Sequence, residues 1–213
     1  MKTFPTRGGD TFEKILEVAE GEFARCGFAG AHLQSIAEQV GVQKTALYYY
    51  FPSKVALYTA VLARMLEAFD RTVSHAIESG ADHADRLERL LGMLNDLLAE
   101  RRNYSQILIR IFVDRVEMDP TLLKEPIERV VGRILLFYRE GIEAGALRRL
   151  SPRHFFQTLL GSVVFHYAAR DFSAGVLGVA DVFTHSAVAW RREELRKLLL
   201  HGLIESEPGA GES

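Results

Sequence analysis

Residues 27–54 read GFAGAHLQSIAEQVGVQKTALYYYFPSK, and this stretch decides the fold. Two short helices fit inside it, with a tight glycine turn between them. The first spans about Leu33 to Val40 and places Ile36, Ala37 and Val40 on one face. Gly41 supplies the break, because glycine takes a positive φ without steric cost. The second spans about Lys44 to Tyr50, with Gln43 at the N-cap position. It stops at Phe51-Pro52, since proline disfavours helix in the residue before it. Helix, glycine turn and short second helix make a helix-turn-helix, whose second helix enters the DNA major groove.

The composition of that second helix is unusual for a core helix. It carries Lys44, Thr45, Tyr48, Tyr49 and Tyr50 within two turns, and only Ala46, Leu47 and Phe51 are committed to packing. Tyrosine hydroxyls and lysine ammonium groups hold phosphates. Lys54 follows at the start of the next helix, after Ser53 as its cap. The plain alternative is a solvated surface helix with aromatic filler. Lys44 and Thr45 are the candidates for base edges: a lysine donates to guanine acceptors, and a threonine methyl meets thymine. Gln34 reaches toward adenine from the preceding helix. Tyr48, Tyr49, Tyr50 and Lys54 are expected on phosphates, with Gln43 at the entry to the helix completing the DNA-contact set.

Phe23, Gly27-Phe28, Ile36-Ala37, Gly41-Val42, Leu47-Tyr48 and Phe51-Pro52-Ser53-Lys54 together resemble the DNA-binding domain of the tetracycline-repressor (TetR) family. The resemblance covers about residues 10–58. It implies a DNA-binding transcriptional regulator. Three positions depart from the family pattern. His32-Leu33 stand where the family has a threonine or serine cap, Gln34 where an arginine is frequent, and Gln43 where a serine is common. The first departure predicts a less firmly capped helix, and the second a different base contact.

Composition bounds the rest. The chain of 213 residues is 48% apolar, enough for a real core in one large or two small domains. Its net charge is −2, so it is not a polycation. Within residues 1–54, six cations (Lys2, Arg7, Lys14, Arg25, Lys44 and Lys54) meet six acids (Asp10, Glu13, Glu17, Glu20, Glu22 and Glu38). Positive potential toward DNA must then come from geometry, with the acids of the first helix turned away. Cys26 is the only cysteine, which excludes an internal disulfide and fits a reducing cytoplasm. Its expected role is apolar filler beside Phe23. No signal peptide is recognisable, and no run of about 18 apolar residues exists to span a membrane. The expected location is cytoplasmic.

Outward from the motif, helical periodicity dominates. A first helix from about Asp10 to Arg25 carries Phe12, Ile15, Leu16, Ala19 and Phe23 on one stripe. A fourth from Ser53 to about Ser79 is long enough to link two domains. Further helices are expected at His83–Glu100, Tyr104 to about Val116, Thr121 to Glu143 with Gly145 as C-cap, Pro152 to Arg170 behind Ser151, and within Val179 to His201. Met118-Asp119-Pro120 is read as a break, and the Gly- and Glu-rich tail 205–213 as disordered. The expected fold is all-α, with about nine helices. A helix-turn-helix domain (1–54) is followed by a larger helical effector-binding and dimerisation domain (55–204).

The helix opening at Pro152 is apolar nearly all round. Phe155, Phe156, Leu159, Leu160, Val163, Val164 and Phe165 cannot all face one core. The last helix offers Val179, Val182, Phe183, Ala187 and Trp190, with Ser186 as a small contact. Pairing both helices with a two-fold mate makes a four-helix seam, and the TetR resemblance implies the same two helices. The alternative is a helix buried within one large domain. The expected dimer interface is Phe156, Leu160, Val164, Val179, Phe183, Ala187 and Trp190. Two recognition helices on a two-fold axis expect a palindromic operator.

Polar groups among apolar ones suggest a small-molecule site. The candidates are Tyr104, Arg110, Phe137, Tyr138, Ser162 and His166. Arg110 and Asp114 stand four apart and are equally read as an ion pair, and His166 equally as a core or interface histidine. The expected mechanism is a population shift: an unknown effector, apolar or aromatic, favours a form in which the fourth helix has tilted. Full release of DNA needs about 3–5 kcal/mol of differential affinity. No cofactor, metal site or catalytic residue is expected. The seven histidines are scattered, and no His-Glu-x-x-His, Cys-x-x-Cys, Gly-x-Ser-x-Gly or phosphate-cradling glycine loop occurs, which argues against an enzyme. A helical protein–protein adaptor without DNA binding, or a transcriptional activator instead of a repressor, are the alternative functions.

Overall fold

A computed structural model describes residues 6–114 and 120–204. The expected break at Met118-Asp119, the extension of the sixth helix to Val116 and the tail 205–213 lie outside the described residues. The fold is all-α. By internal packing the chain divides into two units: residues 1–67 with 103–126, and residues 68–102 with 127–213.

The first unit holds α1 (Thr6–Gly30), α2 (Leu33–Val40), α3 (Lys44–Tyr50), the start of α4 (Lys54–Glu78) and α6 (Tyr104–Val113). Its core is built from the predicted stripes. Ile15, Leu16, Ala19 and Phe23 of α1 are buried with Ile36, Ala37 and Val40 of α2, Leu47 of α3, and Leu57, Tyr58 and Val61 of α4. Aromatic rings lock these helices together. Phe12 stacks on Phe51 at 5.1 Å between centroids, and Phe23 meets Tyr58 edge-on at 4.8 Å. Burial pushes the Tyr58 hydroxyl up to about 12, with the Asp114 charge acting in the same direction.

Gly27 breaks α1 at φ 70°, ψ 177°, a conformation open only to glycine. It also permits a close approach. A Cβ there would lie 2.6 Å from Asp114 Oδ2 and 2.8 Å from Arg110 Nη1. Arg110 donates from Nε to the Ala24 carbonyl at 2.9 Å and from Nη2 to the Arg25 carbonyl at 2.8 Å. These are carbonyls at the end of α1 that would otherwise lack partners. Asn103, just before α6, donates to Glu20 of α1 at 3.1 Å. Helix α6 is thus tied to α1 at both ends.

The second unit contains α5 (His83–Glu100), α7 (Lys124–Glu143), α8 (Pro152–Ala168), α9 (Arg170–Val176) and α10 (His185–Leu195), then a π-helical turn (Arg196–Leu200) and a final short turn (His201–Leu203). Leu87, Leu90, Leu91, Leu94 and Leu98 of α5 face Phe155, Leu159, Val163 and Tyr167 of α8 in one buried core. Asn95 sits fully buried inside it, accepting from the Tyr167 hydroxyl at 2.9 Å. Such a group costs little once its partner is in place. Tyr138 of α7 lies flat on Phe155 at 3.9 Å and donates to the Arg148 carbonyl at 2.9 Å.

The last long helix lies within the expected span of Val179 to His201, but its first residues are corrected. Helix α8 ends at Ala168, α9 ends at Val176, and Gly178 turns the chain with φ 70°. The next helix starts only at His185, where the Thr184 hydroxyl accepts from the Ala187 amide at 3.2 Å. Val179, Val182 and Phe183 therefore precede that helix.

Candidate DNA interface and effector region

Helices α2 and α3 stand where the sequence placed them, and the turn between them is glycine-made. Gly41 has φ 84°, and its amide reaches the Ala37 and Glu38 carbonyls at 3.0 and 3.1 Å. Neither helix has a side-chain N-cap: His32 and Gln43 make no capping bond. The departures from serine and threonine at these positions have that consequence. Lys14 of α1 compensates at the other end of α2, donating to the Val40 carbonyl at 2.9 Å. The sequence reading missed this role, and only tertiary packing reveals it.

Leu47 anchors α3 with no exposure at all, and this orients the rest of the helix. Lys44, Thr45, Tyr48 and Tyr49 form one exposed face, as does Gln43 before them. Tyr49 is 81% exposed, a large hydroxylated ring with little cover. Lys44 Nζ lies 6.0 Å from the centre of the Tyr48 ring, which holds the ammonium on the same face. Tyr50 is half-buried against Phe12 and Tyr49. Two of the expected contacts are engaged within the protein. Gln34 donates one amide hydrogen to Glu38 at 2.7 Å, which leaves its second amide hydrogen and its carbonyl oxygen on offer. Lys54 donates to the Ala29 carbonyl at 3.1 Å and rests 4.8 Å over the Phe28 ring, and burial lowers the pKa of its ammonium.

Glu13 and Glu20 of α1 are answered by Arg64 from outside residues 1–54, and Glu22 by Arg25 of α1 itself. Arg64 of α4 pairs with Glu20 at 2.7 Å and Glu13 at 3.5 Å, and Arg25 pairs with Glu22 at 2.7 Å. Glu20 and Glu22 are themselves buried. Their field is spent on these partners, so the even charge count over residues 1–54 understates the positive potential of α3.

The six effector candidates scatter. Tyr104 is buried in the first unit, and Arg110 holds the end of α1. Phe137 and Tyr138 are buried core residues of α7, with Phe137 beside His83 at 6.0 Å. Ser162 and His166 lie together on α8, where Arg191 of α10 donates to the Ser162 carbonyl at 2.6 Å. His166 Nε2 and Arg191 Nε are buried without protein partners. Burial, aided by the Arg191 charge, pulls His166 down to about 4. A cavity in this unit lies elsewhere. It measures about 290 Å³ and is formed by the first turns of α8 with residues 199 and 203. None of the six candidates lines it.

The expected dimer residues also divide. Val164 is buried inside the subunit, and Phe156, Leu160, Val179, Phe183 and Ala187 are half-buried. Phe183 is held between Tyr167 at 5.5 Å and the Arg102 guanidinium at 4.7 Å. Trp190 is 62% exposed, and Phe165, which the interface set omitted, is 63% exposed. Helical periodicity could have found Phe165, because it lies seven residues beyond the exposed Thr158 on α8.

The geometry defines a helix-turn-helix protein with a solvent-facing recognition helix, joined to a helical unit. Residues 15–61 match the sequence model of the bacterial regulatory proteins of the tetR family. It is similar to the HTH-type transcriptional regulator RutR of Escherichia coli (strain K12), at 28% identity over 194 residues, which covers 89% of this chain and 88% of RutR. Its fold matches that of the ketosteroid transcriptional regulator KstR2 of Mycobacterium tuberculosis, with a TM-score of 0.72 and 18% identity over 96% of this chain and 98% of that one. It also matches the transcriptional regulator FadR of Bacillus subtilis, solved in complex with stearoyl-CoA, with a TM-score of 0.71 and 19% identity over 90% and 98% of the two chains. The protein is a DNA-binding transcriptional regulator. Among the described residues, no helix is long and apolar enough to cross a membrane.

Proposed function

We propose that the chain acts as a homodimeric repressor, bound to a palindromic operator and released from it by a small apolar ligand. The observation that carries this reading is the exposed face of α3. Lys44 and Thr45 point outward one turn before Tyr48 and Tyr49, while Leu47 fixes the helix from behind. Lys44 and Thr45 read base edges; Tyr48 and Tyr49 hold phosphates and set the register. Residues 1–54 supply the DNA contacts, and residues 55–204 supply dimerisation and effector binding.

Two further observations support the finer parts. Phe165 and Trp190 expose large apolar side chains on α8 and α10, the kind of surface that a second subunit covers. One short recognition helix reads few base pairs, so a two-fold pair is needed for specificity. The apolar cavity at the start of α8, and the stearoyl-CoA complex of the FadR fold relative, favour an apolar effector. The test is selection of binding sites from a random DNA pool by the purified protein, at about 0.15 M salt. The expected result is a palindrome with one fixed half-site spacing. A well-folded dimer that selects no consensus after removal of small molecules would sink the reading.

A further inference from the structure

The cavity at the start of α8 has two features that together define a ligand. Its walls are hydrocarbon: Phe155, Leu159 and Leu203 are buried around it, with Leu150 and Leu199 beside them. Its polar edge is a single stripe, Ser151, His154 and Thr158, spaced as neighbours along one face of a helix. At about 290 Å³ it has room for an organic ligand at the small end of the usual range, or for about ten waters. Hydrocarbon walls give water few partners, so the space favours an apolar guest.

The second feature is charge. From Ala144 to Ala169 the chain carries Arg148, Arg149 and Arg153, all close to the start of α8, and no acid. From Leu195 to Ile204 the cations Arg196 and Lys197 are already paired, with Glu193 and Glu194 just before them. The segment that opens α8 is therefore the cationic side of the cavity, in a chain whose net charge is −2. Arg149 and Arg153 are exposed beside lining residues. Ser151 does not cap α8 with its side chain, so the first amides of the helix add positive potential at the same edge.

We propose that this cavity binds an amphipathic carboxylate, its short apolar body among Phe155, Leu159, Leu199 and Leu203 and its acid group at the cationic edge near His154. The proposal rests on the ligand-released repressor reading for its regulatory meaning, but the binding site stands or falls separately. The experiment titrates full-length protein calorimetrically with octanoate, 1-octanol and octyltrimethylammonium. Octanoate is ionised at neutral pH. It should bind one per chain and about tenfold or more tighter than the cation of equal length. Thr158→Trp and, independently, Leu203→Trp fill the space from opposite walls. Each should weaken octanoate about tenfold or more while the melting temperature and the oligomeric state stay unchanged.

No octanoate binding, equal affinity for anion and cation, or full affinity in both filled variants would overturn the site. Operator release is read in parallel by fluorescence anisotropy. Octanoate that binds without releasing the operator leaves the site standing and removes the effector role. Release that persists undiminished in both filled variants overturns the site and leaves ligand-driven release intact.

Discussion

The two packing units of this chain solve different surface problems. The first buries the apolar stripes of α1, α2 and α3 and exposes a polar, aromatic face on α3: Tyr49 stands in solvent while Leu47, two residues earlier, has no exposure. The second does the reverse on part of its surface, leaving Phe165, Phe172, Val176, Leu177, Trp190 and Leu198 exposed. An exposed tyrosine with a neighbouring lysine suits a hydrated polyanion, which must keep its phosphates hydrogen-bonded. Exposed phenylalanine, leucine and tryptophan suit a dry partner. The contrast separates reading DNA from assembling and sensing, and it can be attacked one residue at a time.

The largest effect is expected at the hinge between core and DNA face. Leu47→Ala should destabilise the first unit by about 2–5 kcal/mol, since a buried leucine leaves both transfer energy and a cavity behind. Operator binding should vanish while octanoate affinity is retained. Chemical denaturation followed by operator titration checks both, and equal damage to octanoate binding would break the contrast. Lys44→Ala should alter sequence preference, costing about 1–3 kcal/mol of discrimination at one operator position. Competition among operator variants measures it. A uniform loss on every sequence would move Lys44 to the phosphate class.

Lys54→Ala should weaken all DNA alike and flatten the plot of log affinity against log salt by about 0.9 unit if the ammonium meets a phosphate. Its bond to the Ala29 carbonyl gives a competing outcome: an unchanged slope with a lower melting temperature, which would make Lys54 a helix-end fastener instead. The smallest effect belongs to the second unit. The His166 pKa is lowered from an ordinary 6.5 to about 4, so the folded state favours the neutral ring. The unfolded chain then binds more protons between those values. The resulting stability is complete above about pH 6.5 and declines as pH falls toward 4. His166→Gln should reduce that decline in a melting-temperature series, though solvent near the half-buried ring keeps the effect modest.

The helix-turn-helix was legible because every signal in it is local. Gly41, Phe51-Pro52 and the Ile36-Ala37-Val40 stripe each act within a few residues, and α2 and α3 have the expected limits. The exposed face at 44, 45, 48 and 49 follows from helical spacing alone. The effector set was not legible in the same way. Arg110 binds carbonyls of α1 more than eighty residues earlier, and Arg64 answers acids of α1 from α4. No periodicity announces such partners. The last helix lies in the expected span, but residues 179, 182 and 183 read as part of it because they imitate a helical stripe, while Gly178 and the Thr184 cap decide where helix begins. The cavity was missed because Leu199 and Leu203 meet α8 only through the fold.

The bond from Arg110 to the Ala24 carbonyl spans 86 residues, and residues 103–126 belong to the same packing unit as residues 1–67. During synthesis, the DNA-reading half therefore waits for its final fastening. At about 5–20 residues per second, the ribosome needs about 4–17 s to travel from Ala24 to Arg110. In that interval α1 has an unfinished end, and all of α5 is made before it is closed. The nascent regulator thus gains its complete DNA-binding unit only after part of the second unit has been translated, which delays the first competent encounter with an operator until the chain is past its midpoint.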